Sequence, residues 1–256
     1  MLVAERHREI VSVVDKKSSI RVTELAKMFG VTEETIRRDL EKLEAQGKLL
    51  RSHGGAVSVK NIEVETPFSE RQIAQVEEKK AIAREAVKRV KEGDVILLDA
   101  STTAWQIAQL LPDMNVTVLT NAIKVAVELS TRTHVRVIST GGTLSPLSLS
   151  FVGPLAERSL EAYHANKVFF SCKGVDVQTG ISDSNEWQAL LKKRMLDIAD
   201  ERYLLVEHSK FGVKALAVFG QLHQIGEVIT DDKVSTDIVN ELKGMDISVT
   251  LVNNIK

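Results

Sequence analysis

The chain has a single cysteine in 256 residues, Cys172, so it can form neither an internal disulfide nor a zinc site built from cysteines alone. It lacks any run of about 18 consecutive apolar residues, which leaves no segment for a membrane-spanning helix. The opening stretch MLVAERHREIVSVVDKK has charges every few residues where a signal peptide needs an unbroken apolar core, so the expected compartment is the cytoplasm, with no membrane partner. Neither sign of charge dominates: 34 Lys and Arg face 35 Asp and Glu, a net charge of −1. Repeats and low-complexity tracts are absent, and 43% hydrophobic residues with 4% aromatic is ordinary globular composition, which excludes disordered, collagenous and disulfide-scaffold classes. The histidines at 7, 53, 134, 164, 208 and 223 show no metal-ligand spacing and suggest no triad, so neither a metal site nor a catalytic residue is expected.

The length allows one large or two modest domains. Residues 1–57 carry eleven basic and nine acidic residues, a small excess that matters only if it is clustered on one face. Ile10, Val11, Val13 and Val14 give a short amphipathic helix from Ala4 to Val14. Thr23 stands as N-cap before Glu24–Phe29, and Gly30 stops that helix. Thr32 caps a second helix running to about Gln46, with Glu33 and Glu34 in its first turn and Gly47 as its stop. Ile36, Leu40 and Leu43 recur at i, i+4 and i+7 as its buried stripe, leaving Arg37, Arg38 and Lys42 on other faces. Two extended runs around Gly54-Gly55 follow, which completes a winged helix-turn-helix over 1–57.

Residues 58–68 lack a period and contain Pro67, so 58–77 reads as a linker and the start of a connecting helix, with strong helical patterning over 69–91. From 78 to 256 short apolar runs at 95–98, 116–119, 135–138, 168–170, 203–206 and 247–252 alternate with helical patterns at 103–111, 122–130, 154–163, 186–200 and 235–244. That alternation predicts an α/β domain with a mainly parallel sheet covered on both faces.

In such a helix-turn-helix, residues near the start of the second helix meet base edges, which selects Thr32, Glu33, Thr35 and Arg37 or Arg38, while Lys42, Arg51 and His53 suit phosphates. The plain alternative is a solvated helix whose basic residues pair with Glu34 and Glu41 at four-residue spacing. In the second domain, Asp99-Ala100-Ser101-Thr102-Thr103 ends a strand and opens a helix, where free amides, the helix dipole and hydroxyls favour a phosphate; the simpler role is an N-cap. Thr120-Asn121 and Gly141-Gly142-Thr143 also lie at strand ends, the edge on which an open α/β sheet places its ligand crevice. Trp105, Trp187 and Cys172 suit core packing.

The stretch Val22–Glu44, with Thr35-Ile36-Arg37-Arg38-Asp39-Leu40, and then Arg51-Ser52-His53-Gly54-Gly55-Ala56, resembles the DNA-binding domain of DeoR-family bacterial regulators. The resemblance adds Thr23 to the DNA-binding set and brings in Asp39, expected to orient an arginine or cap a neighbouring element. Residues 78–232 are similar to the DeoR-type effector domain, whose fold is related to ribose-phosphate isomerase and coenzyme A transferases. It implies that Asp99, Thr102, Thr103, Thr120, Asn121, Gly141, Gly142, Gly174, Asp176 and Ser209-Lys210-Phe211-Gly212 surround a phosphorylated sugar. On these motifs Lys210 is the charge for phosphate, Asp176 and Glu186 accept sugar hydroxyls, and Lys173 is a weaker candidate. Ser101 occupies the usual glycine position, which implies altered loop geometry or an extra donor.

The implied function is a repressor of a sugar-catabolic operon, a homodimer or homotetramer on double-stranded operator DNA, released by a phosphorylated sugar acting as effector and needing no cofactor. Ser101 and the run Phe170–Asp176 resemble regulators of deoxyhexoses such as L-fucose or L-rhamnose. The competing class is a sugar-phosphate isomerase-like enzyme with an appended DNA-binding module, using Asp176 or Glu186 to move a proton. No paired acid–base motif demands it, and it leaves the DNA-reading domain unexplained.

Overall fold

The computed structural model describes residues 3–17, 19–46, 48–52, 54–58 and 65–253, and the chain separates into two compact units, Met1–Val64 and Glu65–Lys256. In the first unit come α1 (Val3–Lys17), β1 (Ser19–Arg21), α2 (Val22–Phe29), α3 (Glu33–Ala45), β2 (Leu49–Ser52) and β3 (Gly55–Ser58). The three strands form one antiparallel sheet with β3 in the middle, so the wing hairpin is joined by a strand that sequence patterning did not reveal. Ile10, Val14, Leu25, Ile36, Leu40 and Leu43 meet in one core, each from the apolar stripe of its helix.

One start signal differs from expectation. The helix α2 begins at Val22 with Arg21 as its N-cap, so Thr23 lies inside its first turn. Val22 is buried and its amide donates to the Gly54 carbonyl at 2.9 Å, so the wing fixes the helix start ahead of the threonine. Gly30 and Thr32 act as expected: Gly30 is left-handed and donates to Ala26, and the Thr32 hydroxyl accepts from the Thr35 amide at 3.3 Å.

The second unit opens with α4 (Phe68–Arg71) and α5 (Val76–Val87), two helices where the pattern suggested one over 69–91. Gln75, at φ 51°, turns the chain between them. There follow β4 (Val95–Leu98), α6 (Thr102–Leu110), β5 (Val116–Thr120), α7 (Ile123–Leu129), β6 (Val135–Ser139), β7 (Thr143–Ser145), β8 (Ser150–Val152), α8 (Pro154–Leu160) and β9 (Ala165–Phe170). The chain ends with β10 (Gly174–Asp176), β11 (Gly180–Asp183), α9 (Glu186–Asp197), β12 (Ala199–Leu205), β13 (Ala217–Gly220), β14 (Glu227–Asp231), α10 (Thr236–Gly244) and β15 (Ser248–Val252).

Seven strands form one parallel sheet in the order β15-β14-β12-β9-β4-β5-β6. Alternate residues feed two cores: Leu97, Val168, Phe170 and Leu204 on one face, Ile96, Leu98, Phe169 and Leu205 on the other. Strand order runs outward in both directions from the β4–β9 pair, which makes the carboxyl ends of those strands the switch point where an open α/β sheet forms its crevice. The small sheet β10-β11-β13 and the hairpin β7-β8 are built from strands of three or four residues, too short for alternation to mark them. Among the described residues, no helix is long and apolar enough to cross a membrane.

Candidate functional site

In the first unit, α3 buries Ile36, Asp39, Leu40 and Leu43 and leaves Arg37 and Arg38 exposed. Arg37 donates to Glu33 at 2.8 Å and Arg38 to Glu34 at 3.2 Å. Exposed pairs at this spacing are worth only about 0.3–0.5 kcal/mol, so phosphate or a base edge can displace them. Thr23, Thr32 and Lys42 are exposed, Glu33 and Thr35 half-buried. His53 and the side chain of Arg51 lie outside the described residues. Asp39, buried among apolar neighbours, accepts from Arg6 Nε at 2.7 Å and Nη2 at 3.2 Å, with His7 Nε2 at 2.9 Å. Burial works against its charge, but bonds from Arg6 and His7 outweigh it and hold the carboxyl below the usual range. The acid thus pins α1 to α3, which accounts for a carboxylate on a helix otherwise suited to DNA.

In the second unit, a cavity of about 290 Å³ opens at the carboxyl ends of β4, β9 and β12, close to the ~300 Å³ lower bound of ligand pockets. Its walls include Ser101, Thr102 and Thr103 after β4, Ser171, Cys172 and Lys173 after β9, and Glu207, Ser209 and Lys210 after β12. Thr102 and Thr103 are the first two residues of α6, whose amides have no carbonyl to meet within the helix and so face outward with the positive end of its dipole. Ser101 has φ −81°, a backbone open to any residue, so the loop does not require glycine here. Nor is its hydroxyl an extra donor: it donates to Asp99 Oδ1 at 2.5 Å and accepts from the Ala104 amide at 3.0 Å.

Asp99 lies under the cavity instead of lining it. It accepts the Ser101 and Ser171 amides, each at 3.1 Å, and stands 3.2 Å from Lys192 Nζ. Lys192 also donates to Asp183 Oδ2 and the Ser171 carbonyl, both at 2.7 Å. Burial opposes the charge on Lys192, yet Asp183 and Asp99 more than offset it and keep the ammonium above the usual lysine range. This buried network ties β4, β9 and α9 together, with Ser171, Asp183 and Lys192 in the cavity wall and Asp99 behind them.

Several residues expected at the pocket have other work and do not line it. Thr120 donates to the Leu98 carbonyl at 2.7 Å and accepts the Ala122 amide at 3.0 Å, closing the end of β5. Asn121 donates to the Phe151 carbonyl at 3.0 Å. Gly141 and Gly142 follow β6, at the sheet edge; Gly142 has φ 115°, and a Cβ there would stand 2.8 Å from the Val152 carbonyl oxygen. A Cβ on Gly174 would meet the Val213 carbonyl oxygen at 2.2 Å, so that glycine allows a close backbone approach. Asp176 accepts the Gln178 and Thr179 amides at 3.1 and 2.8 Å; the Thr179 amide first, and Lys214, hold its carboxyl below the usual range. Glu186 is exposed at the start of α9. Trp187, expected in the core, is 46% exposed.

Conversely, Glu65, Arg71, Lys79, Asp183, Gln188 and Lys192 line the cavity without having been singled out. Two of them carry a readable signal: Lys79 shares a buried stripe with Ile82, Ala83 and Ala86, and Lys192 one with Gln188 and Met195, so each is a cation on a face that should be apolar. Burial, with repulsion from Lys210, pushes Lys79 down to about 8, and its Nζ donates to the Arg71 and Ala74 carbonyls at 2.6 Å. Burial also pushes the Cys172 thiol up to about 12, which makes it a poor nucleophile. Among the described residues Glu207, His208 and Asp231 could converge on a metal ion, but Glu207 caps the Ser209 amide at 2.7 Å, and Asp231 holds the His208 amide at 2.8 Å and ring at 2.9 Å.

Residues 6–61 match the DeoR-like helix-turn-helix domain and residues 74–232 the DeoR C terminal sensor domain. The HTH-type transcriptional regulator YulB of Bacillus subtilis (strain 168) is 57% identical over 98% of this chain and 98% of its own. An L-fucose operon activator of Haemophilus influenzae is 37% identical over 96% of this chain and 99% of its own. Among solved structures, ribose 5-phosphate isomerase A of Methanocaldococcus jannaschii aligns with 52% of this chain and 53% of its own, at 20% identity and a TM-score of 0.39. Both domain matches and these relatives along nearly the whole chain place the protein in the DeoR family of DNA-binding transcriptional regulators.

Proposed function

We propose that this regulator represses a sugar-catabolic operon in the cytoplasm and leaves its operator when a phosphorylated sugar fills the second unit's cavity. The observation that carries the reading is the convergence, at one switch point, of the outward amides of Thr102 and Thr103 with the cations Lys173 and Lys210. Amides at a helix start and a lysine point charge suit a phosphate group. Glu65, Glu207 and Gln188 line the same space and offer acceptors for sugar hydroxyls, the role first given to Asp176 and Glu186. The name of the Haemophilus relative supports a deoxyhexose-pathway phosphate as effector. A homodimer or homotetramer would present paired helices to operator half-sites.

The test is calorimetric titration of the full chain with a panel of sugar phosphates and the matching free sugars. The reading expects a phosphorylated sugar to bind and its free sugar not to. Thr103→Val or Lys210→Gln should weaken binding by at least about tenfold, the worth of one charge-assisted contact. Equal binding of the free sugar, or unchanged binding by both variants, contradicts it. Transcription of the operon in cells lacking the protein gives the sign: a rise means repression.

A further inference from the structure

We infer that Arg71 is an anion ligand of the cavity, holding the effector's charged group to the segment by which the chain enters the second unit. The inference rests on the reading of the cavity as a phosphosugar site and assigns that site a residue outside both matched family regions, which end at 61 and resume at 74. Arg71 lines the cavity, and its Nη2 is buried with no hydrogen-bond partner among the described residues. The guanidinium is oriented by two contacts: Nε donates to the Thr66 carbonyl at 2.9 Å, and Cζ lies 5.7 Å from the centre of the Phe68 ring. A buried, oriented, open donor on a permanent cation is unfavourable until an acceptor fills it.

Among the described residues, no protein acceptor meets it. Glu65 faces Arg71 electrostatically, but it accepts from Asn185 Nδ2 at 3.1 Å, and among the described residues no ion pair joins Glu65 to Arg71. Two other cations of the wall are already engaged: Lys192 by Asp183 and the Ser171 carbonyl, Lys79 by the carbonyls of Arg71 and Ala74. Lys79 also holds Arg71's own backbone in place. A phosphate group offers the several oxygens that a guanidinium fork recognises. The wall that carries Arg71 begins at Glu65, the first residue of the second unit.

The test uses inorganic phosphate as probe, titrated by calorimetry into the full chain, with sulfate as a second tetrahedral anion. Wild type is compared with Arg71→Gln, Arg71→Lys and Lys210→Gln, each checked for an unchanged melting curve without phosphate. Arg71→Gln should weaken phosphate by at least about tenfold, and Arg71→Lys, which keeps the charge and loses the fork, by a smaller factor. If Arg71→Gln fails to fold, the lysine variant decides: weaker binding supports the inference, and wild-type binding overturns it. Loss of binding in Lys210→Gln with wild-type affinity in both Arg71 variants overturns the role of Arg71 while the cavity reading stands. Wild-type protein that binds neither phosphate nor any sugar phosphate overturns both.

Discussion

Lys192 Nζ donates to Asp183 Oδ2 at 2.7 Å in a setting where their side chains are 9% and 11% exposed. With Asp99 at 3.2 Å, one lysine serves two carboxylates, Asp183 in the cavity wall and Asp99 behind it. Lys192→Met removes that cation and leaves both acids buried. The second unit should lose about 3–5 kcal/mol in urea unfolding, the usual result of breaking a buried pair from one side. A loss under about 1 kcal/mol contradicts the network's role.

Asp39 plays a parallel part in the first unit through Arg6 and His7. Asp39→Ala should lower the unfolding transition of the helix-turn-helix unit by on the order of 3 kcal/mol and leave the sensor unit's transition where it was. DNA affinity measured well below the lowered transition should fall much less than in the arginine variants. Full loss of DNA binding in a folded Asp39→Ala protein would move the acid from scaffold to interface.

Arg37 and Arg38 make only exposed pairs with Glu33 and Glu34. Arg37→Ala and Arg38→Ala should therefore change the melting curve little, yet weaken operator binding at least about tenfold, since one good base contact is worth roughly 1–3 kcal/mol. If an arginine holds phosphate, the slope of log affinity against log salt drops by about 0.9. Wild-type affinity and slope in both variants would return the arginines to a solvated surface.

Cys172 sets a pH dependence. Its thiol is pushed from an ordinary 9.0 up to about 12 by burial, which the nearby Lys192 and Lys210 oppose and Asp183 and Asp99 reinforce. Above pH 9 the unfolded thiol ionises while the folded one keeps its proton, so the unfolded state binds fewer protons and stability falls. The advantage of wild type over Cys172→Ala should thus be full below pH 9 and shrink as pH rises toward 12. An advantage that stays constant to pH 10.5 or so contradicts the burial of the thiol.

Much of this was written in local sequence, and the misses share a cause. Thr32 is legible as a cap because a hydroxyl before two acids needs no distant partner, whereas Thr23 is displaced by a bond from Val22 to Gly54 across the wing. Ser101, Thr102, Thr103 and Lys173 line the cavity because they follow β4 and β9 at the switch point, and Lys210 because it follows β12 beside β9. Thr120 and Gly142 follow strands too, but β5 and β6 lie beyond β4, on the side away from β9 and β12, and strand order is not a property of any window of sequence. Arg71 is invisible for a related reason: its role depends on a turn at Gln75 that interrupts an otherwise continuous helical pattern.

In the proposed mechanism a small phosphorylated ligand in the sensor unit controls the grip of the helix-turn-helix on DNA. The direct measurement is a gel shift of the full chain on the DNA upstream of its own gene, with a panel of sugar phosphates and the Lys210→Gln variant in parallel. The expected result is a specific complex, an apparent affinity lowered at least about tenfold by one sugar phosphate, equivalent to about 1.4 kcal/mol of coupling, and a variant that binds DNA but is not released. A complex equally tight with every sugar phosphate in the panel, or a variant released at the wild-type concentration, would contradict it.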